Sequence, residues 1–149
     1  MRSRRSAILL SIAPLLVLPA LPAVAQKAPP GSHFVENWDL DSDGQVTLDE
    51  VTERRGDVFY TFDSNEDGVL DAEEYAMFDD ARANDMADQK GHGAGAMVRA
   101  ETGMHLDFND IDGDGTVSQQ EFLTKATDWF DMMDRDGDAV ITTKDFGRG

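Results

Sequence analysis

Residues 110–121 read Asp-Ile-Asp-Gly-Asp-Gly-Thr-Val-Ser-Gln-Gln-Glu (DIDGDGTVSQQE). Acids stand at positions 1, 3, 5 and 12 of this window, and glycine stands at position 6. Three further windows follow the same plan: Asp39–Glu50 (DLDSDGQVTLDE), Asp63–Glu74 (DSNEDGVLDAEE) and Asp134–Asp145 (DRDGDAVITTKD). Together the four windows hold 19 of the 30 Asp and Glu residues in a chain of 149. The formal net charge is −17. A surplus of that size excludes a basic face for nucleic acid or anionic lipid. Evenly spread acidity would argue for disorder. Here it is concentrated, and all eight Phe, two Tyr and two Trp lie within five residues of a window. Cysteine is absent, which excludes disulfides, thiolate metal sites and a cysteine nucleophile.

The windows resemble the calcium loops of the EF-hand family, whose pattern is D-x-[DN]-x-[DN]-G-x5-E. The first three meet it in full. The resemblance implies an all-α fold of helix–loop–helix repeats with short β contacts between loops. It also implies Ca²⁺, a hard cation that takes about six to eight oxygens. Carried onto this chain, loop one offers Asp39, Asp41, Asp43, the Gln45 carbonyl, Thr47 and Glu50, with Gly44 at the bend. Loop two offers Asp63, Asn65, Asp67, the Val69 carbonyl, Asp71 and Glu74, with Gly68 at the bend. Loop three offers Asp110, Asp112, Asp114, the Thr116 carbonyl, Ser118 and Glu121, with Gly115 at the bend. Loop four offers Asp134, Asp136, Asp138, the Val140 carbonyl and Asp145. It departs from the pattern twice. Ala139 replaces the bend glycine, and a Cβ at positive φ costs about 1–2 kcal/mol. Asp145 replaces the final Glu and is one methylene shorter, which makes Mg²⁺ a competitor. Loop four is expected to be the weakest site.

The loops start at 39, 63, 110 and 134. Loops one and three are 71 residues apart, as are loops two and four, so the chain is a duplicated two-loop unit. Only Val51–Phe62 and Phe122–Met133 separate the loops within each unit. Twelve helical residues span about 18 Å. One helix must therefore leave one loop and enter the next, although Gly56 is placed to kink the first, with Asp57 as a new N-cap. The arrangement leaves open where each loop finds its partner. Position 8 is apolar throughout (Val46, Leu70, Val117, Ile141), as a short β contact requires. Trp38, Phe62, Asn109 and Met133 directly precede the loops, and Val51, Tyr75, Phe122 and Phe146 directly follow them.

The expected organisation has a flexible lead-in at residues 26–32, a first unit at 33–78, a helical connector with a glycine-rich break at 79–104 and a second unit at 105–149. Around the connector, helices are expected over Ala76–Lys90 and Ala96–Phe108, joined by a turn at Gly91–Gly95. The six methionines after the leader are expected mainly to fill the cores of short helices.

Residues 1–25 read as an address. Met1–Arg5 is basic, Ala7–Leu21 is apolar and interrupted by Pro14 and Pro19, and Ala23-Val24-Ala25 fits a small-x-small cleavage site. A secretory signal peptide is expected, with the mature chain starting near Gln26 in the periplasm or outside the cell. Stable membrane insertion after cleavage is not expected. Loss of Arg2, Arg4 and Arg5 takes the charge to −20. His33, His92 and His105 are scattered, and neither HExxH nor GxSxG occurs. Catalysis is therefore not expected, and His105 is expected to pack beside loop three. The expected function is a Ca²⁺ buffer or a Ca²⁺-responsive sensor, the latter with a protein partner. The alternative is a scaffold or adhesion module at the cell envelope, rigidified by Ca²⁺.

Overall fold

The computed structural model describes residues 28–88 and 94–147. The expected signal peptide lies outside the described residues, as does most of the expected glycine turn. The elements run α1 (Ser32–Trp38), α2 (Leu48–Phe62), β1 (Val69–Leu70), α3 (Ala72–Asp88), α4 (Ala94–Thr102), α5 (Leu106–Asn109), β2 (Val117–Ser118), α6 (Gln119–Met133) and a 3-10 turn (Thr143–Phe146). The fold is thus mostly helical with one small antiparallel sheet. Among the described residues no helix is long and apolar enough to cross a membrane.

Helices α2 and α6 start the same way. Thr47 and Ser118 are N-caps whose hydroxyls accept the N–H of Glu50 and Glu121, and each Glu side chain accepts its cap's N–H. This capping box satisfies two donors that the helix leaves unpaired. Each helix then runs unbroken from the exit of one loop to the entry of the next. Gly56 does not break α2 and no new helix starts at Asp57: α2 continues through both to Phe62. An interior glycine costs only about 1 kcal/mol relative to Ala, and burial of Val51 and Phe59 on either side holds the helix together.

The loops pair across the duplication. β1 and β2 are antiparallel, with Val69 opposite Ser118 and Leu70 opposite Val117, so loop two meets loop three. Val46 and Ile141 exchange both backbone hydrogen bonds, at 2.9 and 2.8 Å, so loop one meets loop four. The four position-8 side chains are completely buried. With a loop pair at each end, α2 and α6 lie antiparallel between them.

The core runs through both halves. Phe59 packs on Phe122 with ring centroids 5.9 Å apart, and Trp38 meets Trp129 edge-on at 4.6 Å. Phe34 reaches Phe146 at 5.2 Å. Full burial of one such side chain contributes about 1.5–3 kcal/mol, so neither half keeps this stabilisation alone. The lead-in also takes part. Gly31 is the N-cap of α1 at φ 84°, and a Cβ there would overlap the Phe146 ring. Gly31 and Ser32 therefore belong to the fold.

The single helix expected over Ala96–Phe108 is two. α4 ends at Thr102 and α5 begins at Leu106. Gly103 lies against Trp129 so closely that any Cβ would overlap the indole. At the break the carbonyls of Gly103 and Met104 are taken up by side chains, Gly103 O by Arg55 and Asn109 and Met104 O by Tyr75, while His105 O accepts the N–H groups of Phe108 and Asn109 together with Asn109 Nδ2. His105 itself is exposed, not packed beside loop three, because it caps α5 at the surface without a side-chain cap bond. Met104 and Met133 fill the core as expected, whereas Met77 is 46 % exposed.

Gly103→Ala is expected to destabilise the protein by about 1–3 kcal/mol through overpacking against Trp129. Urea denaturation reads this as a lower midpoint; an unchanged midpoint would contradict the close approach.

Candidate metal centres

In every loop the first aspartate gathers the chain around its carboxylate. Asp39 accepts N–H groups from Ser42, Asp43 and Gly44 at 2.7, 3.2 and 2.8 Å. Asp110 does the same with Gly113, Asp114 and Gly115 at 2.7, 3.2 and 2.9 Å. Asp63 accepts from Asp67 and Gly68 at 3.1 and 3.0 Å, and Asp134 from Gly137 and Ala139 at 2.8 and 2.9 Å. The position-5 carboxylate then accepts the position-7 N–H: Gln45 to Asp43, Val69 to Asp67, Thr116 to Asp114 and Val140 to Asp138. That bond sets Gln45, Val69, Thr116 and Val140 directly before the paired position-8 residues.

The final acid closes each loop by bonding to both of its ends. Glu50 Oε1 accepts from Leu40 N–H at 2.8 Å, while Oε2 accepts from Thr47 N–H at 2.8 Å. Glu121 repeats this with Ile111 and Ser118 at 3.0 and 2.8 Å. Glu74 does so with Ser64 and Asp71 at 2.9 and 3.2 Å. The position-9 residue is therefore the helix cap in each case, and the position-12 acid is its partner. One carboxylate thus serves helix initiation and loop closure together.

Loop four achieves the same closure with a shorter acid. Asp145 is 2 % exposed and accepts Arg135 N–H and Thr142 N–H at 2.9 and 2.8 Å. It stands in a tighter 3-10 turn where the other loops lead into α-helices. Ala139 takes φ 68° at the bend, beside 81–86° for Gly44, Gly68 and Gly115, so the expected strain is present.

Among the described residues, three groups of carboxylates place ligand oxygens within 4.8 Å of one another: Asp39–Asp41–Asp43, Asp110–Asp112–Glu121 and Asp134–Asp136–Asp145. Oxygens that share an ion at about 2.3–2.6 Å can be no more than about 5 Å apart. The spacing and the all-oxygen donor set therefore fit a hard divalent cation. In loop two the neutral Asn65 holds position 3, and its Nδ2 donates to Asp67 Oδ2 at 3.1 Å.

The carboxylates differ in the direction in which their surroundings move the pKa. At Asp41 the Asp43 N–H lowers the pKa, but desolvation and the charges of Asp43, Glu50 and Asp39 outweigh it and raise it. This is the repulsion that a cation would relieve. Desolvation raises the pKa of Asp39, Glu50 and Glu74, yet their N–H donors pull all three below the ordinary value. For Glu121 the Ser118 hydroxyl and N–H dominate, and its pKa is also lowered.

One buried group was not among the expected site residues. Arg55 on α2 is completely buried. Its guanidinium donates to Phe122 O at 2.7 and 2.9 Å, to Asn109 Oδ1 at 2.5 Å and to Gly103 O at 3.1 Å. It also lies over the Phe122 ring at 4.0 Å. Among the described residues no carboxylate lies within ion-pair distance of it. Burial lowers its pKa to about 10. Asn109 Nδ2 donates onward to Tyr75 Oη at 3.1 Å, and burial raises the Tyr75 pKa to about 12. The sequence carried one signal of this network: Asn109 is the polar exception in a slot that otherwise holds Trp38, Phe62 and Met133.

The EF hand family model matches the chain at residues 56–79 and 107–124. These stretches contain all of loops two and three. The chain carries EF hands, and EF hands bind calcium. No curated protein matches it.

Ala139→Gly is expected to stabilise the metal-free protein by about 1 kcal/mol by removing the Cβ at positive φ. Gly115→Ala, with no neighbour crowding the added Cβ, is expected to destabilise it by about as much. Chemical denaturation in EDTA measures both; equal midpoints would contradict the strain assigned to the bend. A second expectation concerns pH. The native pKa of Glu121 lies below the ordinary glutamate value of 4.5. Its carboxylate therefore contributes stability that is complete above the unfolded pKa and lost as pH falls through the native one. In EDTA, the melting-temperature gap between the protein and Glu121→Gln should hold at neutral pH and close on acidification below 4.5. A gap that widens there would contradict the assignment.

Proposed function

We propose that this EF-hand chain is an exported calcium buffer. It binds Ca²⁺ at loops 39–50, 63–74 and 110–121 and more weakly at 134–145, where Mg²⁺ competes. The observation that carries the choice of buffer is the sharing of α2 and α6, each fixed to a loop at both ends. A sensor opens by rotating one helix of a hand away from the other. Here such a rotation would displace the loop at the far end of the same helix and the β contact that loop makes. Ion binding then costs little rearrangement, and the bound ions stabilise the folded state by linkage.

The sensor reading has one observation in its favour. A cleft of about 290 Å³ opens among α1, α2, α3 and α4, floored by Phe34, Trp38, Val58, Phe62, Phe78 and Met104. Export rests on the N-terminal address, and Ca²⁺ outside the cytoplasm is abundant enough for sites with dissociation constants of about 10⁻⁴–10⁻³ M to fill.

Calorimetric titration of the mature chain with Ca²⁺ tests both parts. Three stronger sites and one weaker site are expected, with Mg²⁺ displacing Ca²⁺ only at the weakest. Glu50→Gln, Glu74→Gln and Glu121→Gln should each remove one strong site, while Asp145→Asn should change little. An environment-sensitive dye should show no rise in exposed apolar surface when the sites fill. A several-fold rise would overturn the buffer reading in favour of the sensor. An intact Met1 terminus on the protein recovered from its source would overturn export.

A further inference from the structure

We propose that Arg55 is a positioning residue that couples the second and third calcium loops through Asn109 and Tyr75. The inference rests on those loops binding Ca²⁺ and adds how one site feels the other. Its basis is the place of each partner in the sequence. Asn109 directly precedes Asp110, the first ligand of loop three. Phe122 directly follows Glu121, the last ligand of the same loop. Arg55 Nη2 donates to both, at 2.5 Å to Asn109 Oδ1 and 2.7 Å to Phe122 O. One rigid, planar fork therefore spans the entrance and the exit of loop three and fixes their separation.

Tyr75 directly follows Glu74, the last ligand of loop two. Its hydroxyl accepts from Asn109 Nδ2 at 3.1 Å and donates to Met104 O at 2.8 Å. A final carboxylate that shifts to hold an ion moves the first turn of its helix, and that turn carries Tyr75. The movement reaches Asn109, at the entrance of loop three, through a single hydrogen bond and reaches the exit of that loop through Arg55. The whole path is buried: Arg55 and Asn109 are 0 % exposed and Tyr75 is 1 % exposed. In such surroundings an unmade bond to any member is costly, so the members move together. The β1–β2 ladder joins the same two loops at position 8, and the network adds a second connection at their ligand-bearing ends. The corresponding positions beside loops one and four carry other residues: the residue 71 positions after Arg55 is Ala126, and the residue 71 positions before Asn109 is Trp38.

A site-resolved calcium titration of the mature chain by amide NMR tests this. Gly68, Gly115 and Gly44 report loops two, three and one through their N–H bonds to the first aspartates. Disabling loop two with Glu74→Gln should weaken Ca²⁺ binding at loop three by about tenfold, a typical coupling. In a Tyr75→Phe or Arg55→Lys background the same change should weaken it by less than about threefold. Loop one should titrate unchanged in both backgrounds. Tyr75→Phe removes only one hydroxyl from a packed ring, so it keeps the test open if the arginine variant does not fold. A tenfold linkage that survives Tyr75→Phe would overturn the proposal. Equal weakening of loops one and three would also overturn it, because a purely structural role predicts that. Absence of any calcium-dependent shift at Gly68 and Gly115 in the unmutated chain would overturn the calcium reading of these loops, and the coupling with it.

Discussion

The step of 24 residues between neighbouring loops constrains everything else in this molecule. It leaves room for one helix where a pair of independent hands would have two helices and a linker. α2 and α6 are therefore each anchored at both ends by a loop. Loops at opposite ends of one rigid rod of about 18 Å cannot touch each other. Each has to find its β partner on the other rod, and here the two rods meet this need by lying antiparallel. The pairings of loop one with loop four and loop two with loop three follow from that geometry. So does a core shared between the halves, since the helices that carry the apolar faces are also the ones that cross.

Packing two repeats so closely requires the symmetry to be broken where they meet. Arg55 enters the space between the rods at the position where the other repeat has Ala126, and its charge meets carbonyl oxygens and aromatic faces instead of a carboxylate. A buried charge is expensive unless it is fully hydrogen-bonded. The supply of acceptors explains the break between α4 and α5. Ending a helix at Thr102 leaves the carbonyls of Gly103 and Met104 open, and side chains from α2, α3 and α5 use both. The glycine that lets this turn press against Trp129 belongs to the same solution.

The loops were legible in the sequence because ligand geometry imposes residue types at fixed spacing within twelve positions. The shared helices were legible for a related reason: counting residues between loops excludes a second helix. The position-8 residues announced β contacts, but nothing local says which loop faces which. That choice depends on the direction of two rods distant in sequence. Asn109 stood out as a polar residue in an apolar slot, yet its partner Arg55 lies 54 residues away on another helix. Within Ala96–Phe108 only Gly103 speaks against a continuous helix, and the tertiary demand for the carbonyls of residues 103 and 104 divides it there. In loop four the sequence disclosed the strain at Ala139. It concealed how the shorter Asp145 closes the loop, because a tighter 3-10 exit makes up the missing reach.

The cross-pairing of the loops is the claim on which the shared core, the antiparallel helices and the coupling network all depend. Nuclear Overhauser contacts across the β bridges of the calcium-saturated protein test it most directly. Cross-paired loops give backbone contacts between Val46 and Ile141 and between Leu70 and Val117. Contacts between Val46 and Leu70, or between Val117 and Ile141, would place each loop beside its neighbour in sequence and contradict the cross-pairing.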